Sequence, residues 1–356
     1  MNGVKHRDSS PGLVMSVAYM QAIGIILVVL GHSFHLYPDG HHGSSMWFYR
    51  MIYSFHMPLF MFVSGFLMVF TTRLRGNGVR LSSRRFIIGK VKRLLIPFFV
   101  LGSVTFFPRA PMSSVADDPV ELSVRSFVMS LFHTDHLTIP YFWFIQASFL
   151  ILCGSYLLMR LFERLGVTDR VKYLLILLIF FILGWLPVEY TGFFSVRRAV
   201  FFSVYFAFGM LYARFGTRID RSALWDSPLP GALFTALWGI LFFMTENSDW
   251  QILCSLAGIG MCMALAKLLV HYDAHWLDHL VGANYIIFLL SWYCNVAAQQ
   301  VLAHFVPGVP WWICTLLSLV SGLYIPWIGY RYLQTHRRSR WVKVASFLLG
   351  QSLRER

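Results

Sequence analysis

The chain has 356 residues, of which 57% are hydrophobic and 13% are charged, and its formal net charge is +14. Soluble globular domains contain roughly 45–50% apolar and about 25% charged residues, so this composition excludes an ordinary soluble protein and indicates a polytopic membrane protein. The excess of positive charge is explained by membrane orientation and attraction to anionic lipid, so nucleic acid is not expected as a partner.

Apolar segments near the length that crosses a hydrocarbon core recur along the whole chain. They predict an all-α fold, a polytopic bundle of about ten transmembrane helices. No composition shift or linker divides the chain, so we expect one integral-membrane domain over 1–356, with a basic cytoplasmic tail at 333–356. The predicted spans are 14–36, 51–72, 94–108, 140–160, 173–187, 199–215, 229–245, 251–270, 281–304 and 311–332.

The distribution of Lys and Arg predicts how these spans are oriented. Loops rich in Lys and Arg remain on the cytoplasmic side of a membrane. With both termini placed in the cytoplasm, all but five of the 30 Lys and Arg residues fall in cytoplasmic segments. An even number of spans and cytoplasmic termini are therefore predicted. The five exceptions are Arg50, Arg109, Arg125, Arg197 and Arg198.

The first two spans carry histidines in otherwise apolar sequence. His32 lies near the end of the first span, with His35 one turn later, and His56 lies near the start of the second. Antiparallel neighbours would bring His32 and His56 to a similar depth. A titratable side chain inside a membrane is costly and indicates a functional site, although a helix–helix hydrogen bond is an equally good explanation. A neutral imidazole can remove a proton from a hydroxyl, which is the work of a general base.

The loop after the second span contains eight basic residues and no acidic one. The tendency of Lys and Arg to keep a loop in the cytoplasm is by itself a sufficient explanation for about half of such loops. The alternative is a binding site for a phosphorylated ligand, with Arg84, Arg85, Lys90 and Arg93 as the contacts. Lys90 and Arg93 are three residues apart on a continuing helix and are predicted to face the same way. Coenzyme A, with its phosphorylated head and long arm, is a ligand of this kind.

The remaining candidates lie in outer loops and in the C-terminal tail. The connection 109–139 is expected to contain a short helix over 120–132. Arg197 and Arg198, at the outer end of the sixth span, are predicted either to contact an anionic glycan or phosphate or to be interfacial residues. His41–His42 and the pair His133 and His136 lack a complementary ligand set, so no metal is expected. The tail around 337–343 is predicted to be a basic, partly amphipathic surface segment.

Three motifs, in this order, resemble the acyltransferase-3 superfamily of integral-membrane O-acyltransferases, and most closely its fucose-4-O-acetylase-like branch. They read AIGIILVVLGHS at 22–33, FHMPLFMFVSGF at 55–66 and KVKRLLIP at 90–97. Weaker matches are YFWFI at 141–145, FAFGM at 206–210 and GANYIIFLL at 282–290. Gln21 stands where the family commonly has Arg or Lys, Ala18 where an acidic residue is usual, and Ser291 where the late motif often ends in histidine.

The resemblance implies acyl transfer, often of acetyl, from cytoplasmic acyl-CoA to a sugar hydroxyl of a surface glycan or its lipid-linked precursor. It implies His32 as the catalytic residue, Lys90 and Arg93 as contacts of the coenzyme, and a bacterial plasma membrane as the location. Our hypothesis is that His32 acts as general base on an acceptor hydroxyl, while His56 orients the acceptor or stabilises the oxyanion.

The competing hypothesis is a transporter or flippase for a lipid-linked sugar or small polar substrate. Ten spans around a polar cavity suit that function. Against it, intramembrane groups that relay coupling ions are nearly absent apart from the histidines, and no paired broken helices occur in matching halves. The expected partners are therefore membrane lipid and a glycan or lipid-linked saccharide acceptor, with oligomeric state open.

Overall fold

A computed structural model describes residues 11–34, 43–74, 82–109, 121–185, 192–216, 223–244, 251–306 and 308–351. Over these residues the regular structure is helical, apart from one isolated bridge between His133 and Phe193. The α-helices are α1 (Pro11–Ser33), α2 (Gly43–Tyr53), α3 (His56–Leu74), α4 (Ser83–Lys90), α5 (Ile96–Arg109), α6 (Val124–Phe132), α7 (Trp143–Arg164), α8 (Asp169–Trp185), α9 (Val196–Phe215), α10 (Leu229–Met244), α11 (Gln251–His271), α12 (Asn284–Phe305), α13 (Trp311–Thr335) and α14 (Arg340–Leu348).

The helices confirm a polytopic helical membrane bundle. Among the described residues, seven helical segments are long and apolar enough to cross a membrane, and α10 is a shorter apolar helix. Nine of the ten predicted spans coincide with one α-helix each, and the second coincides with two, α2 and α3. The spans predicted at 94–108 and 173–187 lie on α5 and α8, which have 14 and 17 residues. A helix in lipid satisfies its backbone hydrogen bonds internally, which is why long uncharged runs adopt this structure.

The second predicted span, 51–72, is interrupted near its beginning. α2 ends at Tyr53, residues Ser54 and Phe55 form a turn, and α3 begins at His56. Pro58 lies in the first turn of α3, where the missing N–H of proline leaves no hydrogen bond unmade. The span is therefore a helix pair joined by a two-residue break, and His56 is the first residue after that break.

The described residues form two compact units. Unit 1 comprises Met1–Val63 with Gly216–Thr335, and unit 2 comprises Ser64–Phe215 with His336–Arg356. In unit 1, α1 packs against α11, α12 and α13, while α10 packs on α11 and α12 on α13. This arrangement surrounds the histidine-bearing first helix with the last three long helices of the chain.

In unit 2, α9 packs on α7 and α8. The path from α4 to α5 runs through one π-helical turn, Val91–Leu95, and α4 and this turn pack on α7. The short helix predicted within 120–132 is α6, which begins after Ser123; the Ser123 hydroxyl accepts a hydrogen bond from the Ser126 N–H at 3.1 Å. A side-chain cap of this kind satisfies one of the unpaired N–H groups of a first helical turn.

Candidate active site

His32 lies in the last turn of α1, and its side chain is 6% exposed. The rest of the helix is almost entirely apolar, so His32 and the following Ser33 form a polar end to a membrane-length segment. The Ser33 hydroxyl donates a hydrogen bond to the Val29 carbonyl oxygen at 2.8 Å, within the same turn. A buried imidazole at such a position is a candidate for proton transfer.

His56 begins α3 and is 1% exposed. Its Nδ1 lies 2.8 Å from the carbonyl oxygen of Ile52, one turn earlier in α2. A carbonyl oxygen only accepts hydrogen bonds, so Nδ1 carries the proton and Nε2 of the neutral ring has the lone pair. The break between α2 and α3 thus gives His56 a defined tautomer and a basic nitrogen.

An aromatic ring connects the surroundings of the two histidines. A Cβ atom built on Gly31, next to His32, would lie 3.0 Å from Cε2 of Tyr53. The Tyr53 ring in turn meets the His56 imidazole edge to face, with 4.5 Å between the ring centroids. Gly31 permits this close approach because it has no side chain. The end of α1 and the start of α3 therefore belong to one neighbourhood in unit 1.

Two distant helices hold the turn before His56. The indole Nε1–H of Trp238, in α10, donates to the Ser54 hydroxyl oxygen at 3.0 Å. The hydroxyl of Ser255, in α11, donates to the Ser54 carbonyl oxygen at 2.7 Å. The Ser54 carbonyl, at the break, thereby has a hydrogen-bond partner, as a backbone polar group needs inside a membrane. The position of His56 consequently depends on α10 and α11.

A buried polar cluster contacts the last turn of α1 from the other side. Gln299 Nε2, in α12, donates to the Ser33 carbonyl oxygen at 2.7 Å and to the Ser318 hydroxyl at 3.1 Å. Asn295 Nδ2 donates to the Val29 carbonyl oxygen at 3.3 Å and to the Ser33 hydroxyl at 3.4 Å. The Ser33 carbonyl is the last of the helix and has no N–H four residues later within it, so Gln299 satisfies it, and both amides stabilise the end of α1.

This cluster was not predicted from the sequence, although the sequence contains its signal. Ser291, Asn295 and Gln299 are each four residues apart, which places them on one face of an apolar helix. All three are buried, at 0%, 1% and 3% exposure. The late motif draws attention to Ser291 alone. A polar stripe on a membrane helix indicates a contact with another helix or a polar interior.

The basic candidates lie around the path from α4 to α5 in unit 2. The Ser82 hydroxyl accepts a hydrogen bond from the Arg85 N–H at 3.3 Å and begins α4. Lys90 Nζ lies 5.2 Å from the centroid of the Phe86 ring, and this ring stacks on Tyr156 of α7 at 4.0 Å with an interplanar angle of 7°. Arg84, Arg85 and Arg93 are exposed, and Lys90 is partly buried.

The π-helical turn changes the expected relation between Lys90 and Arg93. Their spacing predicts that the two residues face the same way on a continuing α-helix. The helical path continues, but Val91–Leu95 is π-helical, so each residue there turns through a smaller angle. Pro97 gives the physical reason: it lacks the N–H that would bond the Arg93 carbonyl in an α-helix, and its ring clashes with a carbonyl four residues earlier in that conformation. α-Helical spacing therefore does not predict the relative orientation of Lys90 and Arg93.

Arg197 and Arg198 follow a strained turn at the start of α9. Phe194 and Ser195 have φ angles of 49° and 53°, which side-chain-bearing residues seldom adopt. The Ser195 hydroxyl donates to Gln146 Oε1 at 2.6 Å, and this bond helps to hold the turn. Both arginines are exposed. The Arg198 guanidinium lies 4.6 Å from the centroid of the Trp143 ring, a cation–π contact.

The candidate residues thus form three groups. His32 and His56 belong to unit 1, whereas the basic residues of the α4–α5 path and the pair Arg197 and Arg198 belong to unit 2. His35, His41 and His42 lie outside the described residues. Within the described part of the chain, no three His, Cys, Asp or Glu side chains are placed to hold a metal ion.

Comparison with known proteins assigns the chain to a family. Residues 16–331 match the profile of the Acyl_transf_3 family, described as "Acyltransferase domain". The nodulation protein NolL of Mesorhizobium japonicum is 30% identical over 183 residues, covering 46% of this chain and 42% of that protein, so the chain spans less than half the length of this relative. No solved structure matches the chain significantly. Because the profile covers nearly the whole chain, including both histidines and the basic path, the protein belongs to the acyltransferase-3 family of membrane acyltransferases.

Proposed function

We propose that this protein transfers an acyl group, acetyl in the first instance, from cytoplasmic acyl-CoA to a sugar hydroxyl of a surface glycan or its lipid-linked precursor. The observation that carries the proposal is the pair of buried histidines. The Tyr53 ring contacts His56 and lies against Gly31, the residue before His32, in a chain that matches an acyltransferase family over residues 16–331. The proposed location is the bacterial plasma membrane, with the donor taken from the cytoplasm.

The proposed reaction is a direct transfer with His32 as general base. The neutral imidazole removes the proton of the acceptor hydroxyl while the hydroxyl oxygen attacks the thioester carbonyl carbon. The tetrahedral intermediate collapses with cleavage of the carbon–sulfur bond, and the imidazolium returns the proton to the departing coenzyme A sulfur. The products are an O-acylated sugar and coenzyme A, and His32 is again neutral.

His56 is proposed to orient the acceptor. Its Nδ1 proton is used in the bond to the Ile52 carbonyl oxygen, so the lone pair on Nε2 is suited to accept a hydrogen bond from a sugar hydroxyl. An oxyanion requires a donor, which this tautomer does not offer at Nε2. Of the two roles considered from the sequence, orientation of the acceptor is therefore the better supported.

The proposed donor site uses Arg84, Arg85, Lys90 and Arg93. Arginine offers paired N–H groups to phosphate oxygens and lysine offers a mobile charge, a combination that suits the phosphorylated head of coenzyme A. Three of the four side chains are exposed, and Lys90 lies over the stacked Phe86 ring. We further propose that Arg197 and Arg198 contact an anionic group of the acceptor.

The histidine assignment is tested by label transfer from radiolabelled acetyl-CoA to glycans, in membranes that contain equal amounts of each variant. His32→Ala is expected to lose label transfer, because no other group is proposed to remove the acceptor proton. His304→Ala is the matched control, since His304 is an exposed histidine in α12. Undiminished transfer by His32→Ala would rule out the general-base role.

The donor site is tested by the dependence of the rate on acetyl-CoA concentration. The double variant Lys90→Ala/Arg93→Ala is expected to raise the KM for acetyl-CoA by about tenfold or more, since each lost phosphate contact is worth about 1 kcal/mol or more. Lys92→Ala, an exposed residue in the same π-helical turn, is the matched control for loss of charge. No transfer from any acyl-CoA across a broad acceptor panel, combined with movement of a lipid-linked sugar, would favour the transporter hypothesis.

A further inference from the structure

The C-terminal helix α14 ends in a glycine with a left-handed backbone. Gly350 has φ +62°, its N–H donates to the Phe347 carbonyl oxygen at 3.0 Å, and the Gln351 N–H donates to the Ser346 carbonyl oxygen at 2.7 Å. This pair of hydrogen bonds is the Schellman arrangement, in which glycine is favoured because a Cβ atom is strained at positive φ. The local geometry alone explains why glycine follows α14.

The surroundings of Gly350 show a second constraint that the cap does not require. A Cβ atom at this position would overlap the carbonyl oxygen of Arg93 and lie 2.8 Å from Cγ of Pro97. Real Cβ atoms are not found at such distances from backbone atoms. The backbone of the α14 cap is therefore packed directly on the π-helical turn Val91–Leu95, and all of these residues belong to unit 2.

Gly350 contacts the carbonyl of Arg93. In an α-helix this carbonyl would accept a hydrogen bond from the N–H of residue 97, but Pro97 has no N–H. A π-helical turn is an uncommon conformation that persists where the surrounding structure supports it. α4 and the turn pack on α7 from one direction, and the Gly350 backbone meets the turn at Arg93. Displacement of α14 would allow the turn to change its pitch, which would alter the directions of Lys90 and Arg93.

We propose that α14 is a structural part of the donor site, and that Gly350 is a positioning residue for Lys90 and Arg93. The inference rests on the proposed function, in which these two side chains bind the phosphates of acyl-CoA. Gly350 makes no contact with the donor. It acts by holding the backbone of the π-helical turn, so its loss is expected to weaken donor binding without removing a group that takes part in acyl transfer.

The chain offers a matched control for Gly350→Ala. Gly166 ends α7 with φ +71°, its N–H donates to the Glu163 carbonyl oxygen at 3.3 Å, and the Val167 N–H donates to the Phe162 carbonyl oxygen at 2.9 Å. No atom lies within 4 Å of a Cβ built there. Alanine therefore imposes the same backbone strain at both positions, and only at Gly350 does it also meet the π-helical turn.

The experiment measures kcat and KM for acetyl-CoA with the full-length protein in lipid nanodiscs, together with competition by adenosine 3′,5′-bisphosphate. Gly350→Ala is expected to raise both the KM and the inhibition constant by about tenfold, which corresponds to about 1.4 kcal/mol of binding, with kcat within about twofold of wild type. Gly166→Ala is expected to leave all three values near those of wild type.

Equal kinetics of the two alanine variants would overturn the inference, as would a fall in kcat alone. If Gly350→Ala does not accumulate, Val342→Ala replaces it, because Val342 is buried on α14 and its truncation loosens the helix without a clash. An unchanged KM in Val342→Ala would then refute the role of α14. Failure of the donor-site proposal itself is recognised separately, because Lys90→Ala/Arg93→Ala would then leave the KM for acetyl-CoA unchanged.

Discussion

Replacement of Gly322 by alanine tests whether the close packing around the end of α1 supports catalysis. Gly322 lies in α13, and a Cβ atom there would overlap Oδ1 of Asn295 and lie 2.7 Å from Cγ1 of Val29. Both neighbours belong to the network that holds the last turn of α1, on which His32 lies. Gly329, seven residues later in the same helix, provides the control, because a Cβ atom there would have no other atom within 4 Å.

The expected magnitude follows from three contributions. Overpacking of a close-packed site costs about 1–3 kcal/mol. Displacement of Asn295 weakens its bonds to the Val29 carbonyl oxygen and the Ser33 hydroxyl, which costs about 1 kcal/mol more. Alanine stabilises a helix by about 1 kcal/mol relative to glycine, and this gain applies equally to Gly322 and Gly329. Gly322→Ala is therefore expected to be about 2–4 kcal/mol less stable than Gly329→Ala.

The assay combines thermal unfolding of the purified protein in detergent with label transfer from acetyl-CoA. We expect a lower unfolding midpoint for Gly322→Ala, together with a loss of acyl transfer of about tenfold or more, since about 1.4 kcal/mol of lost transition-state stabilisation has that effect. Gly329→Ala should match or exceed wild type in stability. Equal stability and equal activity of the two variants would refute the packing argument, and a stable but inactive Gly322→Ala would assign the contact to catalysis alone.

Three further predictions concern the polar contacts of buried side chains. Lys172→Met should lower the free energy of unfolding, measured in detergent, by about 1–3 kcal/mol. Lys172 is 3% exposed and its Nζ lies 2.8 Å from Asp169 Oδ1, so its loss leaves a carboxylate without its partner. The expected loss is moderate because Asp169 keeps contact with solvent, which screens its charge. The Tyr19 hydroxyl donates to Asp278 Oδ1 at 2.6 Å and holds the pKa of that carboxyl below its usual value. This bond stabilises the fold at neutral pH and is lost when the carboxyl is protonated. The unfolding midpoint of wild type should therefore exceed that of Tyr19→Phe at neutral pH, and the difference should shrink below about pH 4. Gln299→Leu leaves the Ser33 carbonyl, the last of α1, without its hydrogen bond. It should lower the free energy of unfolding by about 1–3 kcal/mol and reduce acyl transfer. Unchanged stability and unchanged transfer would show that the end of α1 needs no support.

The sequence predicted most of the membrane architecture, because hydrophobic length is a strong signal. Nine of the ten predicted spans coincide with one helix and the second with a helix pair, and the all-helical membrane fold is confirmed. The motif around His32 and His56 correctly indicated the acyltransferase family, which the profile match over 16–331 shows. An apolar run or a short motif consists of residues that are neighbours in the chain, so both can be recognised from the sequence alone.

The features that the sequence did not predict depend on residues that are distant in the chain. The π-helical turn follows from Pro97, yet the support that it receives from Gly350 comes more than 250 residues later. The break before His56 is stabilised by Trp238 and Ser255, whose side chains look like ordinary residues of apolar helices. The stripe that includes Gln299 was visible as a four-residue spacing, but its partner on α1 was not. Pairing between distant helices has no local sequence signature.

The contact between Asn295 and Val29 joins residues 266 positions apart in the chain. During synthesis, α1 is made before α12 and α13, which leave the ribosome after some 250 further residues. The carbonyl and hydroxyl groups at the end of α1 must therefore remain in lipid or with temporary partners until α12 and α13 arrive. Contacts of such long sequence separation make folding slow and leave intermediates exposed. The environment of His32 is therefore completed only after α12 and α13 have been made, so a nascent chain lacks its proposed catalytic centre until then.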